Sequence, residues 1–73
     1  MLPEVMNLTI DLEQETDGRW IAEVPELPGV LAYGATASAA ARAAQALAFR
    51  TIADQIEAGE LGDTSVTSVS FAA

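Results

Sequence analysis

Seventy-three residues make one small domain, with a formal net charge of −8 and neither cysteine nor histidine. Disulfides, thiolate or imidazole metal ligands and histidine-activated nucleophiles are thereby excluded. With three arginines and no lysine the chain repels phosphate, which disfavours duplex nucleic acid and anionic membranes as partners and favours a basic protein.

The opening Met1-Leu2-Pro3-Glu4 lacks the basic stretch and apolar block of a signal peptide, and no apolar run reaches membrane-spanning length. Cytoplasmic residence is the expectation. Met6 to Leu12 alternates cleanly, with Met6, Leu8, Ile10 and Leu12 on one side and Asn7, Thr9, Asp11 and Glu13 on the other. That pattern predicts one half-buried strand. Glu15-Thr16-Asp17-Gly18 carries the Asp-Gly hairpin signal. Arg19 to Val24 is then the returning strand. Trp20, Ala22 and Val24 face the core, while Arg19, Ile21 and Glu23 lie outside, with Arg19 facing carboxylates such as Glu13.

Val24-Pro25-Glu26-Leu27-Pro28-Gly29-Val30 organises the chain. Pro25 and Pro28 fix their own φ and push Val24 and Leu27 into extended geometry, and Gly29 supplies a conformation that other residues resist. The expectation is a rigid, extended corner with Leu27 as a plug over the core and no chemistry of its own. Val30-Leu31-Ala32-Tyr33 forms a short third strand whose phase stays open, because both of its faces are apolar. In either phase it shares with Ile21 an apolar spot on the face opposite the helix. Gly34-Ala35-Thr36 closes this strand, and Thr36 N-caps a helix running from about Ala37 to Ala58 that Gly59 stops. Ala40, Ala44, Leu47, Ala48 and Thr51 make a small-residue stripe suited to packing on a sheet. Phe49, Ile52 and Ile56 make a second stripe available to another protomer. Leu61-Gly62-Asp63 reads as a loop. Thr64 to Phe71 reads as a last strand at a sheet edge, beside the first, with Val69 and Phe71 on one face. The fold class expected is an α/β two-layer sandwich (α+β), β-β-β-α-β: a three-stranded antiparallel meander carrying one helix, then an edge strand.

The run from Asp17-Gly18-Arg19-Trp20-Ile21-Ala22 through Pro25-Glu26-Leu27-Pro28-Gly29, followed by Gly34-Ala35-Thr36 and a helix containing Ala40, resembles the HicB family. These are the antitoxins of HicA/HicB toxin–antitoxin pairs and their stand-alone relatives. The resemblance covers about residues 5–58. Its signature positions are Gly18, Trp20, Ala22, Pro25, Leu27, Pro28, Gly29, Gly34 and Thr36. It implies a partial RNase-H-like fold without nuclease chemistry, assembly into dimers or larger oligomers, and binding to a small basic mRNA-cleaving toxin whose catalytic residue is a histidine. Ala39 stands where the family has Glu, which costs a capping interaction. Full antitoxins of this kind carry a C-terminal helix-turn-helix or ribbon-helix-helix module. Residues 1–73 read as a single HicB-like domain without one, so operon repression is not carried over.

Asp11, Glu13 and Glu15 alternate on one strand face and offer oxygen ligands for a hard cation, but an RNase-H-like metal site needs helix carboxylates such as Asp54 or Glu57 to converge with them. Ser65, Ser68 and Ser70 have no activating partner. The expectation is a non-enzyme with no cofactor and no metal. Its candidate oligomer or partner surface comprises Ile21, Phe49, Ile52, Ile56 and Phe71. With no staple to support a short chain, homo-oligomerisation is expected, most simply as a dimer. Three functions follow: an antitoxin-like domain neutralising a basic ribonuclease, a stand-alone oligomeric module of other specificity, and, least favoured, a relic of a metal-dependent nuclease.

Overall fold

A computed structural model describes residues 2–62 and 64–73; Asp63, assigned to a loop above, lies outside the described residues. The element order is β1 (Leu2–Thr9), β2 (Asp11–Gln14), β3 (Trp20–Glu23), β4 (Leu31–Gly34), α1 (Ala37–Glu57) and β5 (Thr64–Ala72). The domain is a small α+β fold.

The single first strand expected from the alternation is two strands. β1 pairs in parallel with β5, from Leu2 opposite Thr64 to Thr9 opposite Ala72. After Ile10 the chain changes partner, and β2 pairs antiparallel with β3, which pairs antiparallel with β4. Leu8 and Ile10 are buried, as the alternation requires, but Leu12, beyond the change and opposite the buried Ala22 at the sheet edge, is 37% exposed, so the half-buried pattern stops at Ile10. The meander thus contains β2, β3 and β4, and the β1–β5 ribbon extends from it. An irregularity in the ribbon register falls between Glu4 and Val5.

The hairpin loop Thr16-Asp17-Gly18 is closed by the Glu15 amide donating to the Arg19 carbonyl at 2.7 Å. This register sets Glu13 opposite Ile21, not Arg19. Arg19 turns instead to Asp17, donating from Nε to Oδ2 at 2.8 Å, and its guanidinium lies 4.7 Å from the centre of the Tyr33 ring.

The proline corner is more compact than the extended path expected of it. The Leu27 amide donates to the Val24 carbonyl and the Val30 amide to the Leu27 carbonyl, each at 3.0 Å, so two four-residue turns follow one another. Each has proline at its second position, where φ near −65° is required, and the second has Gly29 at its third, with φ 88°. The Val24 amide closes the corner by donating to the Val30 carbonyl at 3.0 Å. Leu27 is buried, as the plug reading requires, and Val24 and Val30 are the largest fully buried side chains.

The phase of the third strand is now settled: Val30 and Ala32 face the helix, while Leu31 and Tyr33 face outward. The helix starts where Thr36 Oγ1 accepts from the Ala39 amide at 3.0 Å and ends at Ala58, before Gly59 at φ 74°. It lies close enough to β4 that a Cβ on Gly34 would sit 2.8 Å from the Ala39 carbonyl carbon and 2.9 Å from Ala40 Cα. Ala40, Ala44, Ala48 and Ile52, at four-residue spacing, form its buried stripe. With Leu8, Ile10, Ala22, Val24, Leu27 and Val30 they make the core.

Twenty-one helical residues span about 31 Å, whereas the four-residue strands of the meander span about 13 Å. The C-terminal half of the helix therefore overhangs the meander. Ile56, one turn beyond the last buried residue of the stripe, is 52% exposed, and Phe49, off the stripe, is 47% exposed.

Candidate functional site

The residues expected at an interface fall in three places. Ile21 is half-buried on the outer face of the meander, away from the helix. Phe49 and Phe71 meet edge to face on the helix side, with ring centres 5.5 Å apart, and Ile56 is exposed further along the same helix. Ile52 departs from expectation: at 4% exposure it belongs to the core, because it continues the buried stripe of Ala44 and Ala48 and not the line through Phe49.

The signature residues are distributed over the scaffold. Gly18 sits in the hairpin loop with φ 93°, and Trp20 and Ala22 lie on the helix-facing side of β3. Pro25, Leu27, Pro28 and Gly29 form the double turn. Gly34 marks the close approach of β4 to the helix, and Thr36 caps it. Each has a structural role.

The outer face of the meander carries the chemistry. Strand alternation and register place Asp11, Glu13 and Glu15 beside Glu23, Ile21 and Arg19, with Leu31 and Tyr33 beyond them. Asp11, Leu12, Glu13, Glu15, Ile21 and Glu23 line a shallow concavity of about 310 Å³. Leu31 and Tyr33 are 40% and 46% exposed. The arrangement is an apolar strip, Ile21–Tyr33–Leu31, bordered on one side by carboxylates. It can receive a partner that presents cations around an apolar or aromatic centre. The alternation of 11, 13 and 15 made half of this face legible. The apolar spot shared with Ile21 was expected in either phase, and the register assigns it to Leu31 and Tyr33, a choice the sequence left open because both faces of the strand are apolar.

The helix carboxylates Asp54 and Glu57 belong to the element covering the opposite face, so the convergence required for an RNase-H-like metal site is not formed with Asp11, Glu13 and Glu15. Among the described residues no group of three or more acidic side chains is placed to hold a metal ion, and no polar or charged side chain is buried.

A contact with no local sequence signal ties the corner to β1. The Thr9 amide donates to Glu26 Oε1 at 2.9 Å and the Thr9 hydroxyl donates to Oε2 at 2.7 Å. These bonds, the amide first and the hydroxyl second, hold the Glu26 carboxyl below its ordinary pKa. Asp17 is lowered in the same direction, foremost by the Arg19 amide.

No family model, curated protein or solved structure matches the chain. Among the described residues no helix is long and apolar enough to cross a membrane.

Proposed function

We propose that the protein is a non-catalytic, antitoxin-like domain that binds and neutralises a small basic HicA-like mRNA-cleaving toxin in the cytoplasm, and that it works as a homo-oligomer. The observation that carries this reading is the outer face of the meander, where Asp11, Glu13, Glu15 and Glu23 border Ile21. A basic ribonuclease carries its cations where it holds RNA phosphates. A surface that offers carboxylates around an apolar strip competes for that same site. The net charge of −8 adds long-range attraction, and the HicB-like run from Gly18 to Thr36 supplies the family context. A partial RNase-H-like relation is part of the proposal. It is supported by the sequence of an antiparallel meander, a helix, and a final strand returning beside the first.

The test is a cleavage assay with a recombinant HicA-like ribonuclease from the same genome. Stoichiometric addition of the protein should abolish mRNA cleavage, and Glu13→Lys with Glu23→Lys should restore at least tenfold of the lost activity at low salt. Undiminished cleavage, or inhibition indifferent to both reversals, would refute the reading. A second reading, a stand-alone oligomeric module of other specificity, is favoured by the exposed Phe49 and Ile56, which lie on the helix side away from the acidic face. It predicts self-association without inhibition.

A further inference from the structure

A small domain normally guards its open sheet edges with charge, proline, brevity or a covering loop. β4 is four residues long and ends where Gly34 meets the helix. β1 includes Pro3 and Glu4 in its sequence, and its open side is occupied at Thr9 by the Glu26 carboxylate. β5 lacks brevity, charge and proline. It is the end strand of the parallel pair and nine residues long, and residues 64–73 include neither a charge nor a proline. The register irregularity opposite Glu4 and Val5 lies toward its start, so Ser68 to Ala72 is regular.

Parallel strands are ordinarily buried inside larger sheets, and a two-stranded pair is marginal by itself. The chain also exposes more surface than its size requires. Its accessible area is 4709 Å², against about 4300 Å² for a compact monomer of this mass. Its radius of gyration is 13.5 Å, against about 11 Å.

We propose that β5 pairs antiparallel with β5 of a second copy, about a two-fold axis passing at Ser70. This rests on the homo-oligomeric part of the reading above and gives it a geometry. The Ile10 amide donates to the Ala72 carbonyl at 2.8 Å, so alternation turns the backbone groups of Ser68, Ser70 and Ala72 toward β1 and those of Val69 and Phe71 outward. An axis at Ser70 sets Val69 opposite Phe71 of the other copy, twice, and uses all of these outward groups. The choice of occupant follows from charge. Two molecules at −8 repel, least where both are uncharged, and β5 is such a stretch.

The axis stands perpendicular to the sheet, because both copies must keep their apolar faces on one side. The two helices then share that side. Phe49, already against Phe71 at 5.5 Å, is covered from the second copy. The helix stripe and the free edge thus become one isologous interface.

The natural absence of cysteine makes a single introduced thiol unambiguous. At the axis of an antiparallel pair a residue faces itself with Cα atoms about 4.5 Å apart, within disulfide reach. Ser70 and Ser38 are both exposed, so neither replacement disturbs the core. Sedimentation equilibrium of the unmodified protein at tens of micromolar should read twice 7.6 kDa. Under oxidised glutathione most of the Ser70→Cys protein should become covalent dimer, with less than a tenth as much for Ser38→Cys on the helix. A monomer mass overturns both self-association and the edge pairing. A dimer whose Ser70→Cys thiol stays reduced overturns the edge pairing alone. Neither readout involves a ribonuclease, so the antitoxin reading stands or falls separately.

Discussion

Replacing Gly34 with alanine isolates the contact between β4 and the helix. The new methyl would lie 2.8 Å from the Ala39 carbonyl carbon and 2.9 Å from Ala40 Cα, and closer still to the Ala40 amide nitrogen. All three are backbone atoms, so no side chain can rotate away. Ordinary contact begins near 3.4 Å, so relieving the closest of the three requires strand and helix to separate by about an ångström. Behind that contact lies a tight stripe: Ala40, Ala44 and Ala48 are fully buried and have no longer side chain to follow the movement. A gap of this size forfeits a quarter or more of each affected dispersion contact. Overpacking of this kind costs about 3 kcal/mol at the upper end of its usual range, and alanine returns about 0.5–1 kcal/mol through its lower backbone entropy in the unfolded chain. The net loss is about 2 kcal/mol. With an unfolding entropy of about 2.1 cal/mol/K per residue, that lowers Tm by about 13 °C for this chain length. Thermal melts followed by circular dichroism, at one fixed protein concentration, measure it. A drop smaller than about 4 °C would show that helix and strand separate without loss and that the close approach does not hold the layers together.

The other predictions concern the corner, its strap and the exposed helix. A Cβ at Gly29 meets no neighbour within 4 Å, so the cost of Gly29→Val, about 1–3 kcal/mol, comes from the φ of 88°; a melt within a degree of the parent protein would remove the argument. The Glu26 carboxyl is lowered by the Thr9 bonds, so its stabilisation is complete above the ordinary glutamate pKa and is lost as the pH falls through the lowered one. Glu26→Gln should therefore reduce stability at neutral pH, with the difference from the parent shrinking as the solution is acidified; a pH-independent difference in urea titrations would contradict this. Phe49→Glu should weaken self-association and lower Tm, with the deficit depending on protein concentration, since it places a carboxylate beside Phe71. Identical sedimentation profiles would place the interface elsewhere.

Features set by neighbouring residues were legible in the sequence. The Asp-Gly loop, the Thr36 cap, the glycine stop at Gly59 and the Leu27 plug each depend on a few adjacent residues, and each is where the pattern puts it. Features set by partners were not. Alternation from Met6 to Leu12 reports which side chains face inward, and it holds through Ile10 but not at the exposed Leu12. It is blind to the exchange of β5 for β3 as hydrogen-bonding neighbour. Ile52 was grouped with Phe49 and Ile56 by its character, whereas its angular position puts it in line with Ala44 and Ala48. The strap from Glu26 to Thr9 spans 17 residues and depends on the double turn folding back over β1, which no local pattern encodes. Of the candidate site, the carboxylates were legible as a face, and their apolar border at Leu31 and Tyr33 waited on the phase of β4.

The parallel ribbon also orders events in time. Pairing Leu2 with Thr64 closes a loop of 62 residues, whereas the hairpin closes one of about five residues. The entropic difference, growing as three halves of RT times the logarithm of length, is about 2 kcal/mol. The hairpin and the alanine-rich helix therefore assemble first, and β5 docks only when the rest of the domain can receive it.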